Sequence, residues 1–264
     1  MSLSSPLRYP GGKSRAAEQI LRYVPDGTRS LLSPFIGGGH VEVSAEKSGI
    51  TVVASDLYYP LVAFWREMLS SPDSLADAIE KFHPCTPQKA SKLLSRSNMK
   101  RTSIAAEFFV VNRCSFSGLS SSGGFSQESC DKRFTASSIA RVRNFRAKNL
   151  TVNCADFRLV MDRHPRMFTY ADPPYYRDDL ALYGKRGNTH KGFPHRELAE
   201  TLRSRESDWI LSYDDHEEVR KMYHGFRMHK LKWAYGLNLS KKSNEILILS
   251  HSISEPKDQN RLQF

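Results

Sequence analysis

The chain has 264 residues, 39% of them hydrophobic and 25% charged, with a formal net charge of +11; this length allows one or two domains with a sizeable core, and the hydrophobic share excludes a disordered polymer. No apolar run approaches the ~20 residues a bilayer-spanning helix needs, and Met1-Ser2-Leu3-Ser4-Ser5-Pro6 lacks the basic and apolar regions of a secretory signal, so a soluble intracellular protein without a membrane partner is expected. Cys85, Cys114, Cys130 and Cys154 are too widely spaced for a zinc ligand set and are expected as free thiols, and no histidine pair stands at ligand spacing on an obvious helix, so no metal is expected.

Residues 29–35 read as a strand running into Gly37-Gly38-Gly39, followed by a helix over 40–48 and a short β-branched strand over 51–55 that ends at Asp56. Helices are expected over 58–69 and 74–82. From residue 84 the character changes: Ser, Lys and Arg dominate, a Gly/Ser stretch covers 117–126, and helices are expected only over 104–112 and 138–148. Strands are expected over 150–154, 167–171, 209–213, 226–233 and 245–250, with helices between some of them, and a frayed polar tail follows Ser254. Alternating strands and helices specify an α/β protein with a mostly parallel sheet covered on both faces. The segment that interrupts the alternation reads as an inserted domain.

Charge is concentrated in that segment. Residues 84–148 hold twelve Lys and Arg against three acids, Glu107, Glu128 and Asp131, a net of +9. A basic segment in an otherwise balanced chain is the footprint of phosphate-backbone binding or, more simply, a solvated basic surface.

Two strand ends carry candidate chemistry. Glycines at a strand-to-helix turn let a ligand approach the backbone, and an acid nineteen residues after Gly37, Asp56, stands near the ~20-residue spacing at which a carboxylate reaches a ribose hydroxyl. An adenosine-containing ligand is favoured. NAD is not, because the third glycine of G-x-G-x-x-G is Glu42. Gly11-Gly12-Lys13-Ser14 imitates the end of a P-loop, but Leu7 stands where its first glycine belongs and no strand precedes it. The strand over 167–171 ends in Asp172-Pro173-Pro174-Tyr175. Two prolines remove two backbone donors and stiffen the exit from the sheet, leaving a carboxylate, fixed carbonyls and a flat ring at one point. That set suits a planar amine, held by hydrogen bonds and stacking; the simpler alternative is a surface turn.

Taken in order, Tyr9-Pro10-Gly11-Gly12-Lys13, Pro34-Phe35-Ile36-Gly37-Gly38-Gly39, Ser55-Asp56 and Ala171-Asp172-Pro173-Pro174-Tyr175 resemble the Dam-type DNA adenine-N6 methyltransferases of the alpha group, over nearly the whole chain. Asn112-Arg113 with Gly118-Leu119 looks like that family's recognition motif, Ala155-Asp156-Phe157 like the segment before its catalytic strand, and Lys241-Lys242 ahead of Glu245 like its final hairpin. The resemblance implies a Rossmann-like AdoMet-dependent methyltransferase sheet, with 1–60 and 148–264 as catalytic domain and 61–147 as an inserted, mainly helical target-recognition domain. It implies S-adenosylmethionine as cofactor, S-adenosylhomocysteine as product, and double-stranded DNA as partner, met by a monomer or weak dimer. Asp56 would hold the ribose; Phe35, Gly37, Gly38 and Gly39 would pack on the cofactor; Tyr9, Gly11 and Lys13 would close over it; Asp156 and Phe157 would contact its adenine. His40, beside the turn, would touch its carboxylate. Asp172, Pro173, Pro174 and Tyr175 would hold a flipped-out base, with Asp172 facing both the cofactor and the target amine. Arg8, Asn112, Arg113, Ser117 and Lys241 would meet DNA, Arg8 at a base edge or a phosphate, Arg113 either at a base or as a buttress of the recognition loop.

Ser117 stands where the family often has asparagine, and Ser120-Ser121-Ser122-Gly123-Gly124 lacks the larger polar and basic side chains of GATC-reading members, which leaves the target sequence open. Residues 176–194 read as a loop that orders on substrate. The competing functions are an AdoMet-dependent N-methyltransferase acting on RNA or a protein side chain, and a DNA-binding protein with a decayed cofactor pocket.

Overall fold

The computed structural model describes residues 4–9, 11–93, 100–115, 124–176, 192–231 and 245–256. In chain order these form α1 (Ala17–Leu21), β1 (Ser30–Ser33), α2 (His40–Lys47), β2 (Thr51–Asp56), α3 (Tyr59–Ser70), α4 (Pro72–Glu80), α5 (Pro87–Leu93), α6 (Arg101–Cys114), α7 (Gln127–Arg133), α8 (Ala136–Arg143), β3 (Leu150–Cys154), α9 (Phe157–Arg163), β4 (Phe168–Ala171), α10 (His195–Arg203), β5 (Trp209–Asp214), α11 (Glu217–Met222), β6 (Arg227–Lys230) and β7 (Glu245–Leu249).

Strand side chains alternate between faces, and the alternation creates two cores. Leu31, Val52, Tyr170, Ile210 and Leu247 pack with α1, α2 and α3 on one face. Leu32, Ala171, Leu211, Ile246 and Ile248 pack with α9, α10 and α11 on the other. The sheet has seven strands in the order β3-β2-β1-β4-β5-β7-β6. β1 to β5 are parallel, and β7 runs antiparallel to both β5 and β6. The expected α/β architecture, with a mostly parallel, doubly covered Rossmann-like sheet, is therefore present.

This order positions the site. The chain leaves β1 toward β2 and β3, then resumes on the other side with β4. The carboxyl ends of β1 and β4 thus flank a switch point, where loops diverge and leave a crevice.

Several boundaries differ from expectation for identifiable reasons. α6 starts at Arg101 because the Arg101 and Thr102 side chains both donate to the Glu67 carboxylate, at 2.5 and 2.7 Å. α4 starts at Pro72, a residue suited to a first turn. α8 stops at Arg143, five residues early, where Lys148 N and Asn149 N are drawn to Glu46 Oε1 on α2. α5 and α7, seven residues each, were not expected at all.

The helices of the basic segment share a core with the sheet. α3 carries Phe64, which stacks on Phe109 of α6 at 5.4 Å with planes 7° apart, while Arg66 of the same helix donates to Val152 O on β3 at 2.8 Å. Part of the segment's charge is also neutralised by α4: Arg143 reaches Asp77 at 2.8 Å and Glu80 at 3.1 Å, and Arg146 reaches Asp73 at 3.6 Å. Cys85, Cys114 and Cys130 are buried thiols and Cys154 is an exposed one. Among the described residues no helix is long and apolar enough to cross a membrane.

Candidate active site

The loop leaving β1 turns sharply onto α2. Gly37 and Gly39 take φ of 44° and 66°, a region costly for side chains. The space is also closed to a Cβ: at Gly39 it would lie 2.2 Å from Trp65 Cζ2, and at Gly38 2.8 Å from Tyr9 Cβ. Trp65 Nε1 donates to Gly37 O at 3.1 Å and secures the turn from α3. The glycines therefore serve the protein's own packing, with Gly38 and Gly39 buried and Gly37 half-buried against the Tyr9 ring.

Asp56, at the end of β2, accepts from Gly37 N at 3.3 Å and Tyr58 N at 2.9 Å. Burial pushes its carboxyl up to about 6 despite these bonds. His40 opens α2 with Nδ1 buried and unpartnered among the described residues; burial, then the Lys13 charge, push its pKa down to about 4, so the ring is neutral near pH 7. A glycine turn lined by Tyr9, a carboxylate at the next strand end and a buried imidazole nitrogen without a partner among the described residues fit a nucleoside ligand bearing a further polar group.

Asp156 caps α9, accepting from Arg158 N at 2.9 Å, and pairs with the Arg158 guanidinium at 3.0 Å. Phe157 is buried 5.7 Å from Phe35, beside the glycine turn. Phe193, outside the expected set, completes an aromatic trio at 5.6 Å from Phe35 and 5.7 Å from Phe157.

The second half of the site lies across the switch point. Lys13 is almost wholly buried, and its Nζ stands 2.9 Å from Gly11 O, from Asp172 Oδ1 and from Asp172 Oδ2, 2.5 Å from Tyr175 Oη, and 3.3 Å from Glu245 Oε2. Burial alone would lower its pKa, but the Asp172 and Glu245 carboxylates outweigh burial and raise it. Burial raises Asp172, and so does Glu245, against the downward pull of Lys13 and Tyr175. The Asp172 side chain keeps 22% of its surface open, so its rise is a balance between partial desolvation and one shared ammonium.

Tyr175 Oη donates to Asp172 Oδ1 at 3.2 Å. The Lys13 ammonium is 5.0 Å from the Tyr175 ring centroid but 2.5 Å from its hydroxyl, so it sits off the ring edge. One face is turned to Tyr213, at 5.9 Å and 27°. Next door, Tyr176 N donates to Asp214 Oδ1 at 3.1 Å, and its ring lies between His195 at 5.0 Å and His216 at 4.9 Å. His195 also bonds Tyr213 Oη, and burial pushes its pKa down to about 4. Tyr176, Phe193 and His195 border a cleft of about 570 Å³.

Beneath these groups lies Glu42, 2% exposed, with Ser33 Oγ donating to it at 2.6 Å. Burial pushes its carboxyl up to about 7. Glu42 and Glu245 were not expected at the site. A charged residue heading the fully buried strand Glu245–Leu249 was the available signal for Glu245.

The structure thus joins Lys13 to Gly11, Asp172 and Tyr175, packs Tyr9 and His40 on the Gly37-Gly38-Gly39 turn, bonds Gly37 to Asp56, and sets Phe35 against Phe157. Asn112 is fully buried in α6, where its Nδ2 donates to Arg8 O at 2.5 Å and its Oδ1 accepts from Arg8 N at 3.2 Å. Arg113 is also buried, 4% exposed, against Phe109. Pro10, Ser117, Gly118, Leu119, the segment 120–123, Lys241, Lys242 and most of the loop expected over 176–194 lie outside the described residues.

A seven-stranded, mostly parallel sheet with a glycine turn and an Asp-Pro-Pro-Tyr strand end on either side of its switch point has the architecture of a Rossmann-like methyltransferase. The chain belongs to the D12 class N6 adenine-specific DNA methyltransferase family, whose profile matches residues 9–237. It is similar to the DNA N-6-adenine-methyltransferase of Escherichia phage P1, with 30% identity over 120 residues; the match takes in 44% of this chain and spans 16% of that protein's length.

Proposed function

We propose that this chain transfers a methyl group from S-adenosylmethionine to the N6 amine of adenine at specific sites in double-stranded DNA. The acceptor capacity of Asp172 carries the reading. A carboxylate offers about four lone-pair sites. Lys13 takes one on each oxygen, and the Tyr175 hydroxyl takes the second on Oδ1. Among the described residues Oδ2 keeps one, on a side chain that remains partly open. That is room for one N–H of a planar amine, with a proline carbonyl of Pro173-Pro174 for the other.

S-adenosylmethionine, when bound, supplies an electrophilic methyl on a sulfonium whose departure yields a neutral thioether. Asp56 would accept from the ribose hydroxyls, with the glycine turn and His40 beside the methionine portion. Phe35, Phe157 and Phe193 form the apolar wall for the adenine, and Tyr9, Gly11 and Lys13 close the pocket. Asp156 at the cap of α9 stands at its edge.

An exocyclic amine is a weak nucleophile because its lone pair is delocalised into the ring. Acceptors on both N–H bonds favour a pyramidal nitrogen with the pair directed at the methyl, and a rigid strand end keeps that alignment. The amine must lose a proton on methylation, and burial makes Asp172 a better proton acceptor than an exposed aspartate. A base inside a duplex cannot reach this position, so it is flipped out, and Tyr175 stacks on it for roughly 1–3 kcal/mol. Residues 61–147 would act as the recognition domain, meeting DNA as a monomer or weak dimer inside the cell. Asn112 would contribute by fixing Arg8, not by contacting a base.

The test is transfer of radiolabelled methyl to unmethylated duplex DNA, single-stranded DNA, RNA and protein. Label recovered as N6-methyladenine from duplex DNA is the expected result. Label in RNA or protein alone, or in no substrate, would overturn it.

A further inference from the structure

Arg113 lies in the last turn of α6 with Nε and Nη2 buried and without a hydrogen-bond partner among the described residues. No described carboxylate stands within ion-pair distance of it. The charges that act on it are guanidinium groups: Arg141 of α8, Arg8 of the N-terminal segment and Arg133 of α7. Burial, then these three, push its pKa down to about 9. Arg8 Nη1 is likewise buried and unpartnered, and burial followed by Arg133 lowers Arg8 as well.

The group is built, not accidental. Asn112 holds the Arg8 main chain against α6. Arg133 Nη1 donates to Ser115 O at 3.3 Å and to Ser129 Oγ at 3.0 Å, which ties it to the same helix end. Other arginines of the basic region meet acids, Arg101 with Glu67 and Arg143 with Asp77 and Glu80. The Phe109 ring, 5.4 Å from the Arg113 guanidinium, and the carbonyl end of α6 offset only part of the cost of burying a cation. Buried, unpartnered guanidinium nitrogens on Arg113 and Arg8, with Arg133 tied to the same helix end and the exposed Arg141 near enough for its charge to act on Arg113, are complementary to an anion with several oxygens.

We infer that Arg8, Arg113, Arg133 and Arg141 form one anion site that takes a backbone phosphate of the DNA substrate. The inference rests on the DNA reading above. Arg8 lies five residues before Lys13, and its main chain is clamped to α6, so an occupied site sets the register of the phosphate backbone against the catalytic crevice. A phosphate contact carries no sequence information. The site therefore serves affinity and register, and leaves base reading to other residues.

The test measures duplex affinity against salt concentration for the full chain and for Arg141→Gln, on two unrelated sequences. The variant is expected to weaken both alike, by roughly tenfold, and to reduce the slope of log K against log salt by about 1. Loss on one sequence only, or an unchanged slope, overturns the proposal. Inorganic phosphate and pyrophosphate, added without DNA, separate the sources: stabilisation by the free anions that Arg141→Gln abolishes, with no change in DNA slope, would mean a small-anion site and overturn the backbone assignment. Arg113→Met gives a second reading. Stability that is unchanged or higher, with weakened DNA binding, supports the site; lower stability with unchanged DNA binding makes Arg113 a buttress and overturns it. A wild-type chain that binds duplex with this slope but transfers no methyl would remove the catalytic reading and leave the phosphate site in place.

Discussion

The Lys13 ammonium and the Asp172 carboxylate, 159 residues apart in sequence, form an ion pair with Nζ 2.9 Å from both carboxylate oxygens. The pair joins the N-terminal segment to the end of β4 and determines how much of Asp172 remains available. Asp172→Ala removes the acceptor without touching the sheet core. Methyl transfer is expected to fall by roughly 10²–10³-fold or more, with the circular dichroism spectrum unchanged. Near-normal turnover would refute the assignment.

Lys13→Met leaves Asp172 and Glu245 facing each other without their shared cation. Losing one partner of a buried pair costs about 3–5 kcal/mol, and the partial opening of Asp172 places this variant at the lower end. The sign with pH is informative. Two stranded carboxylates bind protons more tightly folded than unfolded, so stability of the variant should rise as pH falls from 8 to 5. Urea unfolding at both pH values checks this; parallel loss at both would mean that Lys13 contributes through packing alone.

Glu42 reports on the same region from below. Its carboxyl titrates near 7 when folded and near its ordinary 4.5 when unfolded. The folded state therefore holds this proton more tightly, and the contribution to stability is present below pH 4.5 and lost as pH rises through 7. A shift of that size corresponds to about 3 kcal/mol. Glu42→Gln keeps a partner for Ser33 Oγ and removes the titration. The variant should be more stable than the parent at pH 8, and the gap should close toward pH 5. An equal difference at both would place the proton elsewhere.

Asn112→Ala unpins Arg8. Two part-buried main-chain groups of Arg8 lose their partner, for about 1 kcal/mol, the lower end of the range for an unsatisfied group. The larger effect should be local: amide exchange in residues 4–9 and 11–13 accelerates while β1, β4 and β5 stay protected, and turnover falls with them. Unchanged exchange in that segment would show that Tyr9 and Lys13 are held without the clamp.

Sequence periodicity located β1, β2, β3, β4, β5 and β7 within one or two residues because each is an apolar or β-branched run bounded by turn residues. Both strand-end motifs were visible for the same reason. α5 and α7 were not, since one and a half to two turns rich in Ser, Lys and Gln carry no stripe long enough to detect. Contacts between distant segments were illegible in principle: nothing local to Asn112 says that its amide meets Arg8, and nothing local to Glu245 says that it shares Lys13 with Asp172. Charge counting gave the basic region its sign but not its pairing. Arg143 and Arg146 look as available as Arg113 in the sequence, yet the first two meet α4 and the third does not.

The Asn112–Arg8 clamp also bears on modularity. Exchanging the helices between β2 and β3 for those of another family member would be a poor graft if they were cut as a free-standing cassette. The incoming helix would have to present an amide at the same height, or the segment that carries Arg8 and Lys13 would come adrift. Chimeras that retain α6 and replace only the segments beyond it should outperform whole-insert swaps.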